Sequence, residues 1–186
     1  MPTMTDPKTE LNPENNSGSI ELGPDLPLTT FTSSRPWNPD RIRALALYCS
    51  DGRWGEAFDE FCQQHLRIPR YDRWAVPGGP AWLVPADEDA GYYQTARTQL
   101  DFLVQVHQLQ EIVLITHFGC AYYADHLQLS ANECIPPQIE DLQRATKTLR
   151  EWYPEMRIES FLAMRSGNCL SFHEVNDLTA LGKRTS

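Results

Sequence analysis

The chain has 186 residues with 16 Lys+Arg against 25 Asp+Glu, a formal charge of −9. A field of that sign repels phosphate backbones and anionic headgroups, which argues against nucleic acid and acidic membranes as partners. Hydrophobic residues make up 41% of the chain, near the globular average, and no apolar run reaches the roughly 20 residues that span a bilayer. A soluble domain with a sizeable core is expected. Met1 to Thr9 contain neither an apolar stretch nor a small-residue cleavage site, so the expected location is the cytoplasm. The odd set of five cysteines, Cys49, Cys62, Cys120, Cys134 and Cys169, is widely spread. In a reducing compartment such thiols are buried small hydrophobes or metal ligands rather than disulfide partners.

Seven of the 14 prolines fall in the first forty residues, beside the polar run Asn15-Asn16-Ser17-Gly18-Ser19. Residues 1–40 therefore read as a proline-rich tail, or as an arm that orders on a partner subunit, and residues 41–186 as a single α/β domain. Arg43 to Cys49 is a nearly continuous apolar run closed by Ser50-Asp51-Gly52, the pattern of a strand buried on both faces. Ala57, Phe58, Phe61, Cys62 and Leu66 then recur at helical spacing, with Cys62 on the apolar face as a packed thiol. Arg70 to Val76 reads as a second strand, stopped by the tight loop Pro77-Gly78-Gly79-Pro80.

A helix is expected over Gln94–Leu109, carrying Leu100, Leu103, Val104 and His107 on one side, and Glu111–His117 repeats the buried-strand pattern. Ile139, Leu142, Ala145, Leu149 and Trp152 mark another amphipathic helix, closed by Pro154. Arg157–Met164 is the next strand, and Ser166-Gly167-Asn168 turns the chain into a last one, Cys169–His173, antiparallel at a sheet edge. The fold class that follows is α/β: a mainly parallel sheet flanked by helices on its faces, with a final antiparallel edge strand.

In open parallel sheets functional groups gather beyond the carboxyl ends of the strands. The first strand ends in Cys49-Ser50-Asp51-Gly52-Arg53 and the third in His117-Phe118-Gly119-Cys120. If these strands are parallel neighbours, Cys49, His117 and Cys120 converge, and two thiolates with one imidazole suit zinc. The alternative is a set of unrelated packing residues. Cys134 and Cys169 have no comparable context and read as structural. Asp51 either accepts a hydrogen bond from water at the metal, kept ionised by Arg53, or binds the metal directly and closes the site; a turn-capping Asp beside a surface Arg is the bland alternative.

Cys49-x-Asp51-x-Arg53 followed by His117-x-x-Cys120 resembles the active-site signature of the β-class carbonic anhydrases, over about Arg41 to Met164. The resemblance implies Zn2+ on Cys49, His117 and Cys120, a catalytic dyad of Asp51 and Arg53, and reversible hydration of carbon dioxide to bicarbonate by a metal-bound hydroxide. It also implies a zinc lyase that acts on a small molecule and assembles as a homodimer or higher oligomer, with an N-terminal segment that wraps the neighbouring subunit. The sequence departs from the family where an Arg-Asn-Ala-Gly-Asn stretch is replaced by Val76-Pro77-Gly78-Gly79-Pro80, and where Ala121-Tyr122-Tyr123 follow the second cysteine. Two other readings stay open: a zinc hydrolase for carbon disulfide or carbonyl sulfide, and a noncatalytic zinc-stabilised scaffold. Tyr123 and His126 are candidate proton carriers, against an ordinary helical role; Trp82, Tyr92 and Tyr93 either narrow the pocket or pack on a second subunit.

Overall fold

The computed structural model describes residues 31–85 and 90–175. Five strands, β1 (Ala44–Cys49), β2 (Asp72–Val76), β3 (Glu111–His117), β4 (Arg157–Ser166) and β5 (Cys169–Glu174), form one sheet in the order β2-β1-β3-β4-β5. The β1–β2, β1–β3 and β3–β4 pairings are parallel and β4–β5 is antiparallel. This is the α/β class and the edge-strand arrangement that the sequence predicts. The chain divides into two units, Met1–Pro39 and Asp40–Ser186. Residues 1–30, most of the proline-rich segment, lie outside the described residues. No helix among the described residues is long and apolar enough to cross a membrane.

Helix α1 (Gly55–Glu60) continues into a π-helical turn over Phe61–His65, and α2 (Ala90–His107), α3 (Ala121–Leu127) and α4 (Ile135–Trp152) follow. Side chains alternate between the faces of a strand, so β1 and β3 feed two cores. Leu45, Leu47, Ile112 and Leu114 pack with Leu100 of α2 and with Leu142, Ala145 and Leu149 of α4. Ala46, Tyr48, Val113 and Ile115 pack with Trp54, Phe58, Phe61 and Cys62 on the other face. At about 1.5–3 kcal/mol for each fully buried large aliphatic side chain, these two layers fix β1 beside β3. Cys62 is fully buried there, and burial pushes its thiol up to about 12, so it is an inert packed group as expected.

Trp82 donates its indole N–H to Pro77 O at 2.9 Å and stacks on Tyr92 at 4.5 Å, while Tyr93 packs on Trp152. Trp82 and Tyr92 thus brace the loop after β2, and Tyr93 joins α2 to α4. Tyr153, at the C-terminal end of α4, donates to Asp101 Oδ1 at 2.7 Å, and Arg97 Nε donates to Asp101 Oδ2 at 2.8 Å. Desolvation alone would raise the Asp101 carboxyl; the two donors outweigh it and hold the group below its ordinary value. A depressed carboxylate stabilises the fold above its unfolded pKa of roughly 4 and loses that contribution as pH falls through the folded value. Tyr153→Phe is therefore expected to cost about 0.5 kcal/mol at pH 7, because the acid is half-exposed, and less at pH 3. Urea unfolding at the two pH values checks this; an equal loss at both would contradict it.

Candidate metal centre

β1 and β3 pair directly, with Tyr48 opposite Ile115, so their carboxyl ends emerge side by side. Cys49 is the last residue of β1 and His117 the last of β3. Gly119, at φ 71°, turns the chain after β3 and delivers Cys120 to the position before α3. One ligand atom from each of Cys49, His117 and Cys120 lies within 4.8 Å of the others, and all three residues are buried. The two sulfurs are 3.6 Å apart.

The imidazole is oriented for ligation. His117 Nδ1 lies 3.0 Å from Phe118 O, and since a carbonyl can only accept, Nδ1 carries the hydrogen and Nε2 presents its lone pair. Nε2 is buried and has no hydrogen-bond partner. A buried, unpartnered ring nitrogen is costly unless something binds it. Trp54 covers the ring at 4.9 Å between centroids. From α4, the fully buried Gln138 donates to His117 O at 2.8 Å and to Thr116 Oγ1 at 3.0 Å, which pins the end of β3.

The thiols are surrounded by main-chain donors. Cys120 donates toward the Cys49 sulfur, as do the N–H groups of Asp51 and Gly78; together they hold the Cys49 thiol well below its usual range against the opposing effect of burial. The adjacent Cys49 sulfur pushes Cys120 up, with burial adding to it and the N–H groups of Tyr122 and Tyr123 working the other way. Without a cation the pair carries one thiolate; a divalent ion supplies the charge that lets both ionise. The donor set, the free Nε2 and the N–H groups around the sulfurs therefore fit Zn2+.

Asp51 stands beside this cluster and outside it. Arg53 donates Nε to Asp51 Oδ1 at 2.9 Å and Nη2 to Oδ2 at 2.5 Å, and its backbone N–H adds a third bond to Oδ1 at 3.1 Å. These bonds hold the Asp51 carboxyl down to about 2. Asp51 is only 17% exposed, whereas Arg53 is 77% exposed.

The loop that departs from the family pattern is built around two glycines. Gly78 and Gly79 have φ of 76° and 53°, a region that favours glycine. A Cβ on Gly78 would overlap the Tyr122 ring, and one on Gly79 would lie 2.8 Å from Cys49 N and from Tyr48 C. Bare backbone is thus what lets this loop close against the end of β1 and aim an N–H at Cys49.

Of the two candidate proton carriers, Tyr123 is buried and donates to Asp141 at 3.1 Å, and His126 stacks on Tyr122 with Nδ1 3.0 Å from Tyr122 O. Cys169 is exposed, whereas Cys134 is buried in the same apolar cluster as Cys49, Cys120 and Tyr123. Sequence reasoning missed Trp54, Gln138 and the Gly78 N–H. A signal for Gln138 was present, an amide one turn before Leu142 on the apolar stripe of α4.

Fold and site together define an α/β protein whose adjacent parallel strands end in a Cys-His-Cys cluster able to hold a metal ion. Residues 40–171 match the family described as "Putative carbonic anhydrase". The chain belongs to that family. It is 24% identical over 122 residues to an uncharacterized protein of Rickettsia bellii, covering 63% of this chain and 74% of that one. Its fold is similar to the β-carbonic anhydrase CafA of Aspergillus fumigatus, with a TM-score of 0.47 and 12% identity over 75% of this chain and 79% of that chain. It is also similar to a β-carbonic anhydrase of Trichomonas vaginalis, with a TM-score of 0.42 and 14% identity over 75% and 87% of the two chains.

Proposed function

We propose that residues 41–186 form a zinc-dependent lyase domain that hydrates carbon dioxide reversibly to bicarbonate, with Cys49, His117 and Cys120 as the metal ligands and Asp51 and Arg53 as the catalytic pair. The observation that carries the reading is the convergence of three ligand atoms within 4.8 Å while both oxygens of Asp51 are engaged by Arg53. When bound, zinc supplies Lewis acidity and lowers the pKa of water towards about 7. The protein's own contributions are separable. Main-chain N–H groups steady the two sulfurs, and the Nδ1–H bond to Phe118 O fixes the His117 tautomer. Asp51, at a pKa of about 2, is too weak a base to keep a proton at neutral pH. Its role is to accept a hydrogen bond from the reacting water and orient it, and the proton passes on to solvent.

Arg53 keeps Asp51 ionised and engages both of its oxygens. That favours an open site over the scaffold reading in which Asp51 is a permanent fourth ligand. Carbon disulfide or carbonyl sulfide is the second substrate reading, motivated by the glycine backbone that replaces polar side chains over Val76–Pro80. We take the assembly to be a homodimer or larger, in the cytoplasm, where reduced thiols keep the cluster competent.

Stopped-flow hydration by zinc-loaded protein tests the reading, and the absence of any zinc-dependent rate would overturn it; sulfide release from carbon disulfide would redirect it to the second substrate. Asp51→Asn is expected to retain zinc and to slow hydration by roughly 10–100-fold. Loss of zinc in that variant would instead make Asp51 a ligand.

A further inference from the structure

A cavity of about 350 Å³ opens beside the metal cluster, lined by Arg53, Trp54, Phe118, Gly119, Ala131, Arg165 and Leu170. Two of these residues are cationic and none is acidic, in a chain whose formal charge is −9. Arg53 already gives its Nε and Nη2 to Asp51. Arg165 lies near the end of β4 and opposite Leu170 in β5, and its side chain makes no ion pair or hydrogen bond among the described residues. Trp54, Phe118 and Leu170 supply apolar walls, and Trp54 is the residue whose ring covers His117.

Cations, apolar walls and the lack of an acid select a ligand with one negative group and an apolar body. Size points the same way, since pockets that hold organic ligands begin at about 300 Å³, far more room than a triatomic molecule fills. We infer that this cavity is a binding site for a small organic monocarboxylate, with Arg165 receiving the carboxylate and Trp54, Phe118 and Leu170 covering the apolar part. The inference goes beyond the hydration reading and stands on the cavity whether or not carbon dioxide is the substrate. A carboxylate held there sits against Arg53, the residue that fixes Asp51, so occupancy of the cavity and the state of the metal site are physically linked.

The test is titration of 4-fluorobenzoate with full-length protein, followed by fluorine NMR, with zinc content measured on every sample. Saturable binding is expected in the wild type, at least about 10-fold weaker in Arg165→Gln, which loses a charge-assisted hydrogen bond, and in Leu170→Glu, which sets a like charge beside the carboxylate. Arg67→Gln, outside the cavity, is expected to leave binding unchanged, and uncharged 4-fluorobenzyl alcohol is expected to bind at least about 10-fold more weakly than the carboxylate. Arg165 is exposed, so its variant is expected to fold, and thermal unfolding of each variant checks this. No saturable binding in the wild type would overturn the inference. So would binding that depends on zinc and ignores Arg165, because the carboxylate would then be sitting on the metal. Missing zinc alongside Arg165-dependent binding would sink the hydration reading and leave the cavity assignment intact.

Discussion

Cys120→Ser is expected to weaken zinc binding by more than about 100-fold. Loss of a residue that merely orients a ligand typically costs 10–100-fold in metal affinity, and loss of a ligand costs more. Serine preserves the shape of the buried side chain, but its hydroxyl does not ionise near neutral pH, so the site loses one of its two anionic donors. Cys169→Ser is the matched control, because Cys169 is exposed and stands apart from the cluster. Competition with a chromophoric chelator measures both. Equal affinities in the wild type and both variants would mean that zinc is held elsewhere.

The second large effect concerns the backbone. Gly79→Ala is expected to destabilise the protein by about 3 kcal/mol, combining roughly 1–2 kcal/mol for a left-handed alanine with the cost of overlap. Its Cβ would meet main-chain atoms of Tyr48 and Cys49 at 2.8 Å, and those atoms belong to a fully buried strand. For a chain of this length the midpoint of thermal unfolding should fall by roughly 6–12 °C. Gly78→Ala meets a different obstacle, the ring of Tyr122, which a second substitution can remove. Tyr122→Ala is therefore expected to relieve part of the Gly78→Ala loss and none of the Gly79→Ala loss. Calorimetry on the single and double variants reads this directly; equal rescue of both would contradict the contacts described.

The main elements and the three clustered residues were legible for a physical reason. Buried parallel strands write themselves as short apolar runs, and Cys49 and His117 end two of them. Once Leu45–Tyr48 and Ile112–Ile115 are paired as neighbours, the topology brings those two residues together. The edge hairpin was equally readable, because Ser166-Gly167-Asn168 sits between two strand patterns and Gly167 adopts φ 60°.

What sequence did not reveal depends on contacts between distant segments. The helical pattern after β1 held no sign that Phe61–His65 would widen into a π-helical turn, a local detail set by packing. α4 starts at Ile135, before the first residue its apolar period marked. Pro136 and Pro137 look like breakers in a linear reading, yet the first helical turn tolerates proline, since N–H groups there lack partners in any case. The Gly78 N–H reaches Cys49 only because the loop after β2 folds over the end of β1, and Trp54 covers His117 only because α1 packs on that face of the sheet. Spacing along the chain encodes neither contact.

The proposed function requires that Cys49, His117 and Cys120 together hold zinc. X-ray absorption at the zinc edge of the purified full-length protein tests it most directly. One zinc per chain is expected, with two sulfur neighbours at about 2.3 Å and lighter neighbours near 2.0–2.1 Å, one of them an imidazole nitrogen. A shell without two sulfurs, a third sulfur drawn from Cys134, or protein that takes up no stoichiometric zinc would contradict it.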